Sequence, residues 1–404
     1  MTSLTPRRKK QVSIIDPIYG LIELSAEMDA FIADEAFQRL KFIKQLASVF
    51  FTHKLAIHTR YEHSVGVAFL AKKAVEVLMA QDIDKQISEQ EALAVEFAAL
   101  YHDIGHGAYS HVFDSILRES KTVECIVDHE HRSMILFEHV ARKHNMPLDQ
   151  IRRVQYFIDP SKYLRKYQER PIFTAGLDQI VNNSVCGLDV DKMDYLNRDS
   201  LFLGLEKIFE PIDMINIIKN TCLIDGNWSF DACDCEHIYN ICCRRFALYA
   251  SVYMSDKSIV IAQMLTESIK AANHVKPFLA CTALRTIEEI NQFCALTDNY
   301  IAETLILNDN DPRMETARNY MKRIVKRDGL FRITSRFVVM GNTEPMFHGD
   351  INTKFVKSKL ATDESNPDKM MARVPFKSQV VPIDRKDIKA MYMIVKTDLL
   401  TPKT

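Results

Sequence analysis

Ten of the thirteen histidines lie between His53 and His144, and their spacing, more than their number, indicates what they could do. Thr59-Arg60-Tyr61-Glu62-His63 puts a cation and an imidazole three residues apart, on one face if the segment is helical. Tyr101-His102-Asp103-Ile104-Gly105-His106-Gly107 puts adjacent His and Asp at the end of an apolar run, ALAVEFAAL, with His106 one turn beyond His102. Buried together, such groups are costly to desolvate unless charge stands between them, and a divalent metal supplies that charge. A mixed nitrogen and oxygen set suits Fe, Mn, Zn or Ni, and Mg where water fills further positions, so the ligands do not name the ion. Gly105 and Gly107 are expected to loosen the backbone so that His106, His111 and Asp114 turn back toward the same centre as supporting or acid–base groups. A lone histidine beside an apolar helix is ordinarily a hydrogen-bonded core or surface residue; here His63, His102 and Asp103 together favour the metal site.

A further ligand is expected from Leu188 to Asp199. Asp191, Tyr195 and Asp199 fall at i, i+4 and i+8 on one helical stripe flanked by Lys192. Carboxylate, phenol, carboxylate and cation in that order suit a metal-bound phosphate ester carrying a sugar. A charged, solvated helix face is the competing account.

The elements that must hold these groups read as helices. From Asp16 to about Arg142 apolar residues recur at three and four, as in Phe37, Leu40, Ile43 and Leu46, then Val65, Ala68 and Phe69. Asp159 to Arg170 is polar and reads as a loop, with helix resuming around Leu177 to Leu203. Asp225 and Gly226 between two short apolar runs predict a hairpin turn over Cys222 to Phe230, and residues 236–305 return to long helices. From about Gly329, β-branched and aromatic runs divided by Gly, Asn and Pro predict a small α+β lobe. The expected organisation is mainly α: a basic arm over 1–11, a multi-helix core over 12–310 and the α+β lobe over 311–404.

Composition narrows the class. The chain has 404 residues with 52 Lys and Arg against 53 Asp and Glu, so no global field favours a polyanion or a membrane surface. Nine irregularly spaced cysteines, and a start without an apolar secretion signal, predict a reducing compartment, cytoplasmic or nuclear. No run approaches the ~18 to 20 apolar residues that would cross a bilayer. Cys233, Cys235, His237, Cys242 and Cys243 fit no common zinc spacing and read as helical, buried thiols. Met193, Met254 and Met264 read as core filling, and the sole tryptophan, Trp228, as a packing residue beside the hairpin.

Six blocks, DPIYGLIEL, FQRLKFIKQL, TRYEHSVGVAFLA, HDIGHGAYSHVFD, HEHRSMILFEH and DVDKMDYLNRD, occur in order between Asp16 and Asp199. They closely resemble the HD-domain phosphohydrolases, and within them the deoxynucleoside triphosphate triphosphohydrolases of the sterile-alpha-motif and HD-domain type, over about residues 12–270. That resemblance implies a largely α-helical, oligomeric hydrolase, dimer or tetramer, that cuts a dNTP at the α-phosphorus to deoxynucleoside and inorganic triphosphate, with Mg as nucleotide counter-ion. It implies His63, His102, Asp103 and Asp191 as metal ligands and His106, His111, Asp114 and His129 as the catalytic group, with His111 protonating the sugar oxygen and Asp114 orienting it. Arg60, Lys192, Tyr195 and Arg245 match phosphate contacts. Gln45, Leu46, Asp199 and Tyr253 match residues around the sugar, with the Tyr253 ring packed against C2′ to exclude a ribose hydroxyl.

Departures matter as well. Val12 and Ile15 stand where relatives switched on by nucleotides carry a basic residue and an asparagine, and Asp231, Cys233, Ser255 and Asp256 stand where they carry cations or an imidazole. A dNTP-type activator site is therefore expected to be absent or rebuilt, while Asp34, Gln38 and Arg39 keep part of a neighbouring guanine-nucleotide site. No sterile-alpha-motif domain is expected ahead of the core. Two other readings are a hydrolase of a different nucleotide phosphate ester and a non-catalytic nucleotide- or nucleic-acid-binding module.

Overall fold

In the computed structural model, residues 11–82, 86–120, 125–205 and 210–326 are described, with three strand segments beyond them. The described residues open as a hairpin, not as the helix expected from Asp16. Strand β1 (Val12–Asp16) pairs antiparallel with β2 (Gly20–Leu24), Val12 opposite Leu24. Asp16 Oδ1 accepts the Ile18 and Tyr19 amides at 2.8 and 3.0 Å, and Gly20 supplies the left-handed φ of 72°. This carboxylate-capped turn outweighs the helical spacing that begins further on.

Two short helices follow, α1 (Met28–Ile32) and α2 (Glu35–Gln38), and then a 3₁₀ segment, Ala47–Phe51. Helix α3 (Arg60–Gln81) starts on a capping box between Thr59 and Glu62. Every residue from His63 to Ala71 is buried, so this part of α3 is enclosed on all sides at the centre of the bundle, while the side chains of Lys73 and Glu76 further along reach solvent. It packs on α4 (Glu89–Tyr101), on α9 (Val190–Phe202) and on α10 (Pro211–Lys219). Between α4 and α9 run α5 (His111–Ser120), α6 (His129–Lys143), α7 (Leu148–Ile158) and α8 (Pro160–Tyr167).

Helix α8 occupies the stretch expected to be a loop. Asp159 accepts the Lys162 amide, Pro160 takes the first helical position, and Gln168 closes the helix at φ 57°. Capping chemistry, not apolar periodicity, defines this short helix.

The expected hairpin is present as β3 (Cys222–Ile224) and β4 (Asn227–Ser229), with Asp225 and Gly226 at φ 48° and 73°. Trp228 is fully buried against Phe230. Helix α11 (Cys235–Leu248) carries Cys235, Cys242 and Cys243 and runs into a π-helical turn, Tyr249–Tyr253. Then come α12 (Asp256–Val275), α13 (Ile287–Ala295), a second π-helical segment, Tyr300–Leu307, and α14 (Glu315–Lys326). Helix α14 packs on α12, so the helical body continues to Lys326. The mainly α organisation agrees with the sequence.

Residues 1–10 of the basic arm and most of the expected C-terminal lobe lie outside the described residues. Within the lobe β5 (Ala361–Thr362), β6 (Lys369–Met371) and β7 (Pro382–Asp384) form an antiparallel sheet in that order. Among the described residues no helix is long and apolar enough to cross a membrane.

Candidate active site

His63, on the first turn of α3, His102, at the end of α4, and Asp191, on the first turn of α9, come from three distant segments and meet. Their ligand atoms lie within 4.8 Å of one another. His63 Nε2 stands 3.1 Å from Asp191 Oδ1 and 3.5 Å from Asp103 Oδ2, and His102 Nε2 stands 3.5 Å from an oxygen of each carboxylate. The tautomers are fixed from behind. His63 Nδ1 donates to Asp194 Oδ2 at 2.8 Å and His102 Nδ1 to the Ala99 carbonyl at 2.7 Å, so each Nε2 turns a lone pair inward. Both Nε2 atoms are buried without a hydrogen bond. Lone pairs facing carboxylates demand a positive charge. Burial disfavours the imidazolium, yet Asp191 and Asp194 push His63 up to about 10. A divalent cation answers the same demand, so the residues present fit one. Asp103 departs from a plain ligand, because Arg60 Nη1 pairs with its Oδ2. Burial raises its pKa, but Arg60, His102 and His106 hold it well below the usual carboxylate range.

A second His/Asp group abuts this centre through His106 Nε2, 3.3 Å from Asp103 Oδ1. Ligand atoms of His106, His111, Asp114 and His129 also lie within 4.8 Å of one another. The His106 and His129 rings stack at 3.8 Å, and His111 meets them edge-on at 4.8 and 5.3 Å. Burial, Arg60 and His129 push His106 well below the ordinary imidazole value, which keeps it neutral. Two expectations need correction here. Asp114 is bonded to His129 Nδ1 at 2.8 Å and to Arg132, whereas His111 Nδ1 is 4.0 Å away with its side chain 72% exposed. A buried carboxylate takes the strongest buried donors, and those are not on His111. Gly105 and Gly107 also do not supply the unusual backbone. Tyr109 and Ser110 do, at φ 60° and 52°, each at about 1–3 kcal/mol. The glycines are needed for closeness: a Cβ on Gly105 would overlap the His129 carbonyl and one on Gly107 the Phe113 ring.

The expected phosphate and sugar residues are placed as follows. Arg60 is buried, donating through Nε to Ser110 Oγ at 2.8 Å as well as to Asp103. Lys192 Nζ pairs with Asp189 Oδ2 at 2.6 Å, and Arg245 lies over the Tyr249 ring with Tyr195 beside it. Asp199 accepts from His58 Nε2 at 2.8 Å and from the Tyr253 hydroxyl, joining α9 to the π-helical turn. Gln45 and Leu46 are buried; the Gln45 backbone N–H donates to the His58 carbonyl at 3.1 Å, and the Gln45 side-chain Oε1 has no hydrogen-bond partner. One histidine thus links Gln45, Asp199 and Tyr253.

With this geometry established, comparison with known proteins is specific. The HD domain family model matches residues 60–199, the span from Arg60 to Asp199. An HD domain therefore occupies residues 60–199. It is 31% identical over 388 residues to the deoxynucleoside triphosphate triphosphohydrolase SAMHD1 of Homo sapiens, covering 90% of this chain and 59% of that protein. It is 29% identical to the SAMHD1 homologue of Dictyostelium discoideum, covering 82% and 62%, and 27% identical to the putative HD domain-containing protein L394 of Acanthamoeba polyphaga mimivirus, covering 88% and 74%. The chain spans about three fifths of the length of the human and Dictyostelium relatives.

Around the HD core, the residues expected at a guanine-nucleotide site have structural partners. Asp34 caps α2 through the Ala36 amide and pairs with Lys143 at 2.8 Å, and Gln38 donates to the Ile32 carbonyl. Arg39, 4% exposed, donates to the His106 carbonyl and lies over the Phe293 ring. Sequence reasoning missed Asp194, which orients His63, and Arg198, which grips Asp194 through two bonds of 2.9 Å and reaches Asp16 at 3.0 Å. It also missed His58 and Arg132. For Asp194 the signal was available: it lies three residues beyond Asp191 and four before Arg198, one helical face.

Proposed function

We propose that the chain is a metal-dependent hydrolase of deoxynucleoside triphosphates that releases deoxynucleoside and inorganic triphosphate. One observation carries this reading: two buried imidazole lone pairs face two carboxylates, directly beside a second His/Asp group equipped for proton transfer. The relatives' names point to the same substrate class. His63, His102, Asp103 and Asp191 would hold a divalent ion, with Fe, Mn, Zn, Ni and Mg all compatible with the donors. An ion held there supplies Lewis-acid polarisation of the phosphoryl group and activation of water.

The chain's own residues do the rest. Arg60, Lys192 and Arg245 offset charge on the phosphates, each exchanging a present partner for the ligand. Proton delivery to the departing sugar oxygen falls to His111, which desolvation, Arg60 and His129 push down to about 4 in the free protein and which the charge of a bound phosphate chain would raise. Asp114, itself paired with Arg132, holds His129. Water adds to the α-phosphorus, the bond to the sugar oxygen breaks, and that oxygen takes the proton. Asp199 and Tyr253 flank the sugar, and the tyrosine ring excludes a ribose hydroxyl by contact.

The test is incubation with the four dNTPs and GTP in Mn or Mg while inorganic triphosphate is followed, beside Asp103→Ala. Triphosphate from dNTPs, little from GTP, and at least a 10²-fold loss in the variant are expected. Orthophosphate alone, or equal turnover of GTP and dGTP, overturns the substrate assignment.

A further inference from the structure

Asp298 lies beyond the span matched by the HD model and beyond the groups used above, yet it touches both walls of the site. Its side chain is buried, the residue 6% exposed. Oδ2 accepts the Lys44 amide at 2.9 Å, immediately before Gln45, and Oδ1 accepts the Tyr109 amide at 2.7 Å, two residues before His111. The Tyr109 hydroxyl returns to the Asp298 carbonyl at 3.1 Å. Ser110 completes the link, its Oγ donating to the Lys44 carbonyl at 2.7 Å while accepting from Arg60. Tyr109 and Ser110 are consecutive residues in left-handed backbone, a conformation that persists only where surroundings hold it. Burial pushes the Asp298 carboxyl up to about 6, opposed by the two amides, Lys44 and Arg60. Keeping a carboxylate in so dry a place is unfavourable unless those amides need it.

We propose that Asp298 is a positioning residue of the reaction, fixing the Gln45 segment and the His106–His111 loop against each other through their backbones. It touches no substrate. Its effect is the separation between the sugar side and the proton donor, so the inference rests on the hydrolase reading for its kinetic part.

Asp298→Asn keeps the shape but leaves one acceptor oxygen for two amides. Tyr109→Phe keeps core volume and removes only the phenol bond. Thr297→Ala is the neighbouring control. Hydrogen exchange of the full chain, without substrate, should rise over both 43–47 and 106–112 in Asp298→Asn, over 106–112 alone in Tyr109→Phe, and over neither in the control. With dNTP and Mn, kcat should fall about tenfold to a hundredfold in Asp298→Asn, with KM moving far less, as for displaced reacting groups. Unchanged exchange in either segment of Asp298→Asn, or loosened segments with kcat intact, overturns the proposal. A wild type inactive on dNTPs sinks the hydrolase reading instead, and exchange then decides whether Asp298 joins the two segments.

Discussion

At the scale of single residues, the site depends on atoms behind the ligands as much as on the ligands. Gly66, one turn along α3 from His63, is an example: a methyl there would overlap the Asp194 carboxylate and the Arg198 guanidinium, both buried and paired. Gly66→Ala should therefore lower stability by about 1–3 kcal/mol and weaken metal binding about 10- to 100-fold by displacing the partner of His63. Thermal unfolding and Mn titration check this; normal metal affinity would remove Asp194 from the role given to it. The side chains that converge were legible in sequence because adjacent His and Asp, and an i, i+4, i+8 stripe, are local signatures. The partners were less so. Asp298 pairs with amides 254 and 189 positions away, and a backbone amide has no side-chain identity for a motif to display.

Among the elements, helix ends decide where chemistry sits. Helix α4 delivers His102 at its C-cap, and α9 delivers Asp191 at its first turn because Asp189 caps it. Long apolar helices such as α3 were readable from periodicity, whereas the β1–β2 hairpin and α8 were not, since turn and cap chemistry at Asp16 and Asp159 overrides the surrounding pattern. Helix α8 has a use: Lys162 bonds to Glu130 and Asp159, both at 3.0 Å, tying the helix beside His129. Asp159→Ala removes the cap and one of those bonds. It should lower stability by about 1 kcal/mol, seen as an earlier urea midpoint at unchanged slope; no shift would mean that packing alone maintains α8.

For the whole molecule, the metal centre joins α3, α4 and α9, so occupancy and fold stability are linked. Stripping with a chelator should lower the melting temperature and adding Mn should restore it, with a gain of about 2.7 kcal/mol at a hundred times the dissociation constant. Identical melting curves with and without the ion would contradict a site at these residues. Helix α9 carries a further consequence. Asp191, Asp194, Arg198 and Asp199 share its 13 residues, a rod of roughly 20 Å at 1.5 Å per residue. On the proposed reading, tilting that rod would shift the ion's anchor and the sugar's anchor together. Lesions anywhere along it should therefore show up as twin defects, in ion retention and in sugar discrimination, with neither drifting alone.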